Sequence, residues 1–280
     1  MTIYSMDHED DFLASKFAEY REALRGIESC APLMPYGWFK SPQTIRVDSE
    51  LGLRRMFYRE LADDFARDLA NGINRLVVLT KRLEAWEKVI DGLDVEEKHA
   101  LLHEFVQDPA STALLSPYTL KARFYFAVAH LSHQANFVSH GEEWSDDFAT
   151  LPEDREIKQE TADRLAKPWR SWKRLIGALN RVDAGDYKAA TDDFRSKHTH
   201  RFTPQVELGL AQPVKRLPWK NSGKPHYGVG GSEPIALGVA VRELKKQCVH
   251  LAKCYRAFQG LVGEQGAALF SGCNDETESP

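Results

Sequence analysis

The fold is decided by residues 51–90, which run LGLRRMFYRELADDFARDLANGINRLVVLTKRLEAWEKVI. Apolar side chains recur in this stretch at every third or fourth position, which is the spacing of one helix face. They are Leu53, Phe57, Leu61, Phe65, Leu69, Ile73, Leu76, Leu79, Leu83, Trp86 and Ile90. Because a helix rises ~1.5 Å per residue, a helix of this length extends about 60 Å. The pattern therefore predicts one long amphipathic helix as the main element of the fold.

Capping and turn residues predict where the next helices begin. Asp91-Gly92 is expected to end the long helix, and Asp94 with Glu97 has the spacing of a capping box that starts another. Ser116-Pro117 is typical of an N-cap followed by a first helical turn. We therefore expect a separate helix from that point to about Ser139.

The second half of the chain also favours helices, interrupted by proline and glycine. One helix is expected to begin near Pro152–Glu156, and Pro168 should kink or split it because proline lacks a backbone N–H. A short helix is expected to restart at Gly185-Asp186. Ser232 and Pro234 have the pattern of a cap and first turn, so they are expected to open a final long helix.

Residues 201–231 are predicted to form an ordered Pro/Gly-rich loop and not a helix. Helix-interrupting residues in this segment include Pro204, Pro213, Pro218, Pro225, Gly228, Gly230 and Gly231. Since no strand-like alternation is visible outside it, we expect an all-α fold, a bundle of long antiparallel helices with a first helix Asp10–Ser29 laid across it. Residues 1–270 are expected to form a single helical domain, and residues 271–280 a disordered acidic tail.

Composition favours a globular protein without a membrane segment. Hydrophobic residues make up 42% of the chain and charged residues 28%, which is typical of neither a disordered nor a membrane protein. No apolar run approaches the ~20 residues of a transmembrane helix, and the acidic N-terminus lacks the pattern of a secretory signal. We expect a cytoplasmic protein with reduced thiols, of which Cys248 and Cys254 are buried. The four cysteines are Cys30, Cys248, Cys254 and Cys273.

Histidine pairs on helix faces raise the alternative of a metal-binding bundle. His99 and His103 are four residues apart, and His130 and His133 are three apart, so each pair lies on one helix face. A di-iron bundle uses two Glu-x-x-His motifs on facing helices, and in this sequence only Glu96 to His99 has that form. The histidines are therefore interpreted as structural or surface residues. No metal or cofactor is expected, although a ligand-binding or metal-binding bundle stays open as an alternative.

Residues 193–202, which run DFRSKHTHRF, are the segment most suggestive of function. Arg195 is followed by the polar Ser196 and, after four intervening residues, by His200. This arrangement resembles the signature of the HEPN family, in which an Arg and a polar residue precede a His. The family commonly has Asn at the position of Ser196.

The HEPN resemblance implies a helical protein whose HEPN-like core covers roughly residues 50–262. It implies that two protomers bring their motifs together and cut RNA without a metal ion. In such a site His200 is the acid/base, since imidazole titrates near neutral pH, and Arg195 holds the phosphate with its guanidinium fork. The resemblance further implies a homodimer that serves as a bacterial toxin or defence component, with a cognate inhibitor protein.

A local basic footprint surrounds the motif, although the whole chain has a net charge of −4. Positions 195–225 hold a single acid, Glu207, and these seven cations: Arg195, Lys197, Arg201, Lys215, Arg216, Lys220 and Lys224. Such clusters attract the phosphates of nucleic acids. Three aromatic residues that are suited to stacking on unpaired bases lie among them, namely Phe202, Trp219 and Tyr227. The segment is therefore a candidate RNA-binding surface.

Helix geometry leaves two alternatives open for the motif. Five residues along an ideal helix rotate by about 500°, so Arg195 and His200 converge on one phosphate only if the helix ends near Thr199. His198, three residues from Arg195, is a competing acid/base or a supporting partner. The other alternative is that these cations only stabilise a helix C-terminus, in which case the protein is a non-enzymatic scaffold or a ligand-binding bundle.

Overall fold

The computed structural model describes residues 6–42, 45–146, 148, 156–218 and 225–271, and it confirms the all-α class. The helices are α1 (Met6–Arg25), α2 (Glu50–Ile90), α3 (Val95–Leu101), α4 (Gln107–His140), α5 (Gln159–Ala166), α6 (Trp172–Leu179), α7 (Gly185–Ala190), α8 (Phe194–His200) and α9 (Leu237–Phe270). The strands are β1 (Val214–Pro218) and β2 (Pro225–Val229).

The chain divides into two compact units. Unit 1 consists of Met1–Ala31, Leu76–Ser116 and Asp183–Cys248. Unit 2 consists of Pro32–Arg75, Pro117–Val182 and Val249–Pro280. Helices α2, α4 and α9 contribute residues to both units.

Helix α2 confirms the predicted long helix, but the predicted apolar face is correct only for its second part. From Leu69 to Ile90, the apolar positions of the stripe are buried. Earlier in the helix, Leu53 and Phe57 are 39% and 49% exposed, whereas Tyr58, Ala62 and Ala66 are buried. The small alanine side chains allow close helix packing, and the Tyr58 hydroxyl donates to Gln265 Oε1 of α9 at 3.0 Å. The buried face therefore follows the alanines and not the larger residues.

The predicted helix start at Ser116-Pro117 is wrong, because Pro117 lies inside α4. The Ser116 hydroxyl does not cap a helix but donates to the Thr112 carbonyl at 2.7 Å. Helices α3 and α4 are joined by a π-helical turn at Leu102–Val106. This turn precedes Pro109, whose missing N–H cannot bond the carbonyl four residues back, and a wider turn accommodates that loss. The capping box at Asp94 is confirmed in both directions.

Three further boundaries differ from the predictions in detail. Pro168 splits the expected helix into α5 and α6, as predicted, and α5 begins at Gln159. Of the predicted start near Pro152–Glu156, residues 152–155 lie outside the described residues. The short helix at Gly185 is also confirmed, but it ends at Ala190 and is followed by a separate helix, α8. The first helix ends at Arg25 and not at Ser29.

Residues 201–231 are not only a loop, since they contain an antiparallel hairpin of β1 and β2. The strand ends are Pro218 and Pro225, which occupy paired positions where the ladder stops. The prediction that Ser232 and Pro234 open α9 is wrong, because α9 begins at Leu237. The Ser232 N–H donates to the Ala211 carbonyl at 2.8 Å in an extended pairing. Instead, the Glu207 carboxylate accepts the Leu237 N–H at 2.8 Å. The cap of α9 is therefore supplied by a residue far away in sequence.

Aromatic stacking organises the core of unit 1. The Trp86 ring of α2 lies between Tyr20 of α1 and Phe105 of the π-helical turn, with centroid distances of 4.3 and 4.9 Å. Both contacts are nearly parallel stacks. Offset stacking of this kind adds about 0.5–1.5 kcal/mol beyond the burial of apolar area. It holds α1 against the second part of α2.

Buried hydrogen bonds organise the core of unit 2. The Tyr255 hydroxyl accepts from Trp38 Nε1 at 2.9 Å and donates to the Pro35 carbonyl at 2.6 Å. Gln265 links two helices, because it accepts from Tyr58 and donates to Ser132 Oγ at 3.0 Å. These side chains are buried polar groups with partners, which is the condition under which burial of such groups is tolerated.

The predicted burial of two cysteines is confirmed. Cys30, Cys248 and Cys254 are free, and the last two are buried, as expected. Burial raises the pKa of Cys254 to about 12. Cys273 and the predicted tail lie outside the described residues, apart from Ser271. Within the described part of the chain, no helix has both the length and the apolarity needed to cross a membrane.

Candidate functional site

Helix α8 carries the HEPN-like motif and begins directly after two aspartates whose backbone conformation is left-handed. Asp192 and Asp193 have φ values of 52° and 48°, a left-handed conformation that Asp adopts more readily than most residues. This conformation ends α7 and redirects the chain into α8. The Phe194 side chain, only 1% exposed, then fixes the first turn of α8 in the core of unit 1.

The three predicted catalytic residues all lie on α8. His198 and His200 are exposed and Arg195 is half-buried. Because α8 continues through His200 and the Arg201 N–H still donates to the Lys197 carbonyl, Arg195 and His200 point about 140° apart around the helix axis. Arg195 and His198 lie one turn apart on the same face. Within one chain, Arg195 therefore has His198 and not His200 as its helix-face neighbour.

Local contacts restrain the residues of α8. The His198 ring stacks on Phe194 with a centroid distance of 5.4 Å, and its Nδ1 lies 3.4 Å from Thr203 Oγ1. The Lys197 ammonium forms an ion pair with Asp192. A cavity of about 30 Å³ opens beside these residues, and it is lined by Asp192, Lys197, Arg201, Phe202, Pro204, Ala211, Gln212 and Ser232. That volume is roughly the space of one water molecule in the liquid, so the cavity does not hold a nucleotide.

The hairpin presents a cation beside an aromatic ring. Arg216 of β1 is paired in register with Tyr227 of β2, and both side chains are exposed, Tyr227 by 77%. Side chains at directly opposed positions lie on the same face of the hairpin. Lys215 points elsewhere, since its ammonium donates to the Gly231 carbonyl at 2.5 Å. Of the predicted RNA contacts on the hairpin, Arg216 and Tyr227 are the best placed to meet a nucleotide.

The histidine pairs considered as metal ligands have other surroundings. His130 packs among the rings of Phe65, Phe126 and Phe148. His133 Nδ1 lies 2.8 Å from Asp146 Oδ2. Burial alone would raise the pKa of Asp146, but hydrogen bonds, the first of them from His133, hold that pKa below its usual value. In the described ranges, no group of three or more His, Cys, Asp or Glu residues is arranged to hold a metal ion.

A cation-lined cleft, absent from the predictions, lies in unit 2 between α6 and α9. It has a volume of about 370 Å³ and is lined by Lys173, Arg174, Gly177, Ala178, Arg181, Lys253, Arg256 and Ala257. We call this the cationic cleft. Its five Lys and Arg side chains are exposed, and none of them forms an ion pair with a carboxylate in the described part of the chain. The lining contains neither an acid nor an aromatic residue.

Two sets of hydrogen bonds hold the segment that precedes α6, beside this cleft. The Glu264 carboxylate of α9 accepts the backbone N–H groups of Arg170 and Ser171, at 2.9 and 2.7 Å, at the N-terminal end of α6. Asn136 of α4 donates to the Leu165 carbonyl at 2.8 Å and accepts from Trp169 Nε1 at 2.9 Å. The turn between α5 and α6 is thereby fixed on both sides.

Comparison with protein-family models, curated proteins and solved structures found no match to this chain. The assignment of residues 193–202 to a HEPN-like motif stays a prediction. Trp219, Lys220 and Lys224, three of the predicted RNA contacts, lie outside the described residues. The cationic cleft was missed because its two halves are far apart in sequence, and on each helix the cations have the spacing of an ordinary exposed face. One signal was available in the sequence, because none of these cations has an acid three or four residues away that could pair with it on the same helix.

Proposed function

We propose that this protein binds RNA through α8 and the hairpin of β1 and β2 in unit 1, and cleaves it without a metal ion, in the manner implied by its HEPN-like motif. We call these elements the α8–hairpin region. The observation that supports this most is the position of the motif beside the hairpin. One small cavity is lined both by Lys197 and Arg201 from α8 and its end, and by Ala211 and Ser232 at the base of the hairpin. The end of α8 thus meets the base of the hairpin, whose strands carry Arg216 and Tyr227 further along.

The chemistry proposed for this region is transfer of a phosphoryl group within the RNA strand. A neutral histidine takes the proton of a 2′-hydroxyl, the 2′-oxygen attacks the adjacent phosphorus, and the bond to the 5′-oxygen breaks. The leaving oxygen gains a proton, so the products end in a 2′,3′-cyclic phosphate and a 5′-hydroxyl. Arg195 would stabilise the negative charge that grows on the phosphate. Tyr227 would stack on a base and Arg216 would hold a neighbouring phosphate.

Two histidines are candidates for the acid/base, and their positions lead to different assemblies. His198 shares a helix face with Arg195, so these two residues serve one phosphate within a single chain. His200 points away from that face, so it would meet an Arg195 only from a second copy, as the homodimer implied by the resemblance requires. A cognate inhibitor protein, if the protein acts as a toxin, would cover this exposed region.

The test is cleavage of a labelled RNA in the presence of EDTA. We expect the wild type to release 2′,3′-cyclic phosphate ends, and Arg195→Ala to lose at least about a hundredfold in rate. Comparing His198→Ala with His200→Ala identifies the acid/base. His103→Ala, which changes an exposed histidine on another helix, is the matched control and should cut like the wild type. Absence of cleavage by the wild type, or equal cleavage by all variants, would overturn the proposal.

A second candidate function is RNA or anion binding without cleavage. It is favoured by the ion pair of Lys197 with Asp192, by the divergence of Arg195 and His200 on α8, and by the small volume of the adjacent cavity. In that case the wild type binds the labelled RNA without cutting it. Arg216→Ala and Tyr227→Ala would still weaken this binding, whereas the histidine variants would leave it unchanged.

A further inference from the structure

The charge of the cationic cleft is opposite in sign to the net charge of the chain. The chain as a whole has a net charge of −4, but the lining of the cleft contributes five positive charges and no negative one. Exposed cations of a globular protein usually have opposite charges nearby, because like charges repel at short range. A cluster without carboxylates keeps its full attraction for an external anion.

The shape of the cleft brings these charges to one place. Lys173, Arg174 and Arg181 come from α6 and its end, and they face Lys253 and Arg256 of α9 across the opening. Between them, the lining consists of small residues, Gly177, Ala178 and Ala257. A Cβ built on Gly177 would meet no atom within 4 Å, so a ligand can approach the helix backbone there. The volume of about 370 Å³ is in the range of sites for small ligands.

The lining also limits what the cleft can recognise. Ligand pockets for bases or other apolar groups are lined mainly by hydrophobic and aromatic side chains. Here the lining offers ammonium and guanidinium groups, which bind phosphate oxygens, and no aromatic ring. Several phosphates in a row would satisfy five cations better than a single phosphate would.

We propose that the cationic cleft is a binding site for a run of phosphate groups, recognised through their charge and without contact to a base. Two sources supply this chemistry, the backbone of a single-stranded RNA and a free oligophosphate. The proposal does not depend on the chemistry assigned to α8, because the cleft residues belong to unit 2 and the site would bind without cleaving.

Gly177 permits a test that changes charge with little change in structure. Gly177→Glu places a carboxylate among the five cations, and Gly177→Gln adds a side chain of the same size without charge. Both should fold, since the added Cβ has space and glycine is unfavourable inside a helix. Equal thermal melting of the two variants would verify this.

The measurement is binding of two probes, each to wild type and to both Gly177 variants. One probe is a fluorescein-labelled oligouridine, followed by anisotropy, and the other is tripolyphosphate, followed by calorimetry. We expect Gly177→Glu to weaken binding by about tenfold relative to Gly177→Gln, for at least one probe. A loss for oligouridine alone identifies a nucleic-acid backbone site, and a loss for tripolyphosphate alone identifies a free oligophosphate site.

A pair of neutralising variants provides the second readout. For oligouridine, the logarithm of the binding constant falls linearly with the logarithm of the salt concentration, and each phosphate contact on a single strand contributes about 0.7 to the slope. Lys253→Gln/Arg256→Gln should therefore reduce the magnitude of this slope by about 1.4. Arg82→Gln/Lys88→Gln, which removes two exposed cations of α2, is the matched control and should change the slope little. The proposal is overturned if the wild type binds neither probe, or if Gly177→Glu and Gly177→Gln bind both probes equally. Failure of RNA cleavage would leave this result unaffected, because the assay measures binding only.

Discussion

The α8–hairpin region and the cationic cleft are both rich in Lys and Arg, but their cations have different partners. In the α8–hairpin region, Lys197 is paired with Asp192 and Lys215 donates to the Gly231 carbonyl. In the cationic cleft, none of the five cations has a carboxylate partner within the described ranges. Two cations of the run in the sequence thus have local partners, whereas the five cations brought together from two helices have no carboxylate partner in the described ranges.

The two regions also differ in how they are held. Helix α8 has seven residues and depends on one fully buried aromatic side chain, Phe194. The turn that leads into helix α6 is bonded to two long helices, through Asn136 of α4 and Glu264 of α9. A short helix with one anchor opens more easily than one tied to two long helices. We therefore expect the α8 region to adapt to its ligand and the cleft to be preformed.

The largest expected effect is on the anchor of α8. Phe194→Ala removes a ring that is 1% exposed, and such substitutions cost about 3–5 kcal/mol. We expect this loss in the free energy of unfolding measured in urea, together with faster hydrogen exchange in α8. Phe202→Ala changes a ring that is 62% exposed and should cost less than about 0.5 kcal/mol. A loss below about 1 kcal/mol for Phe194→Ala would contradict the single-anchor account.

The next effect concerns the support of the cleft. Asn136→Ala leaves the Leu165 carbonyl and the Trp169 indole N–H without partners in a buried site. Each buried unsatisfied group costs about 1–3 kcal/mol, so we expect a loss of about 2–4 kcal/mol in urea unfolding. Asn180→Ala, at an exposed position just after α6, is the control. If both variants are equally stable, the Asn136 contacts do not hold the turn before α6.

A smaller effect should appear as a pH dependence of the stability that Glu264 contributes. Burial alone would raise the pKa of Glu264, but hydrogen bonds from the N–H groups of Ser171 and Arg170 outweigh it and hold that pKa below its usual 4.5. A lowered folded-state pKa means that the stabilisation is fully present above pH 4.5 and is lost as the pH falls through the folded-state value.

The pH dependence is measured as the urea midpoint of the wild type and Glu264→Gln from neutral to acid pH. We expect the wild type to be more stable at neutral pH and the difference to shrink below pH 4.5. Glu160→Gln, at an exposed position of α5, should track the wild type throughout. A difference that is independent of pH would show that the Glu264 charge does not hold α6.

The smallest effect is the most direct comparison of the two kinds of cation. Lys253→Gln removes an exposed cation of the cleft, and Lys197→Gln removes one that is already paired with Asp192. The measured quantity is the slope of the logarithm of the oligouridine binding constant against the logarithm of the salt concentration. We expect Lys253→Gln to reduce its magnitude by about 0.7, and Lys197→Gln to reduce it by less. If Lys197→Gln has the larger effect of the two, the ion pair of Lys197 opens to bind RNA. The cations of the two regions would then not differ in their availability to a ligand.

The sequence predicted most helices because their signals are local. The long α2, the capping box at Asp94 and the split at Pro168 all depend on residues within a few positions of each other. The apolar stripe was misplaced before Leu69 because periodicity favours large side chains, whereas the buried positions there include Ala62 and Ala66. Ala positions carry little weight in a hydrophobic pattern, although they decide how closely two helices approach.

The remaining features depend on partners distant in sequence. The hairpin was missed because strand pairing joins residues that are not neighbours in sequence, and the prolines Pro218 and Pro225 favoured a loop. Ser232 had the pattern of a helix cap, but Ala211 pairs with it and Glu207 caps α9 instead. The cationic cleft joins α6 with α9, so its charge appears only after folding. The catalytic residues Arg195, His198 and His200 were located on one helix, and their roles stay predictions.

The most direct test of the account is a kinetic measurement on the α8–hairpin region. The initial rate of RNA cleavage in EDTA is followed against RNA concentration for wild type, Arg195→Ala, His198→Ala, His200→Ala and the control His103→Ala. We predict that Arg195→Ala and at least one of His198→Ala and His200→Ala lower the maximal rate, whereas His103→Ala behaves like the wild type. An uncleaved RNA, or equal maximal rates for all variants, would contradict the account.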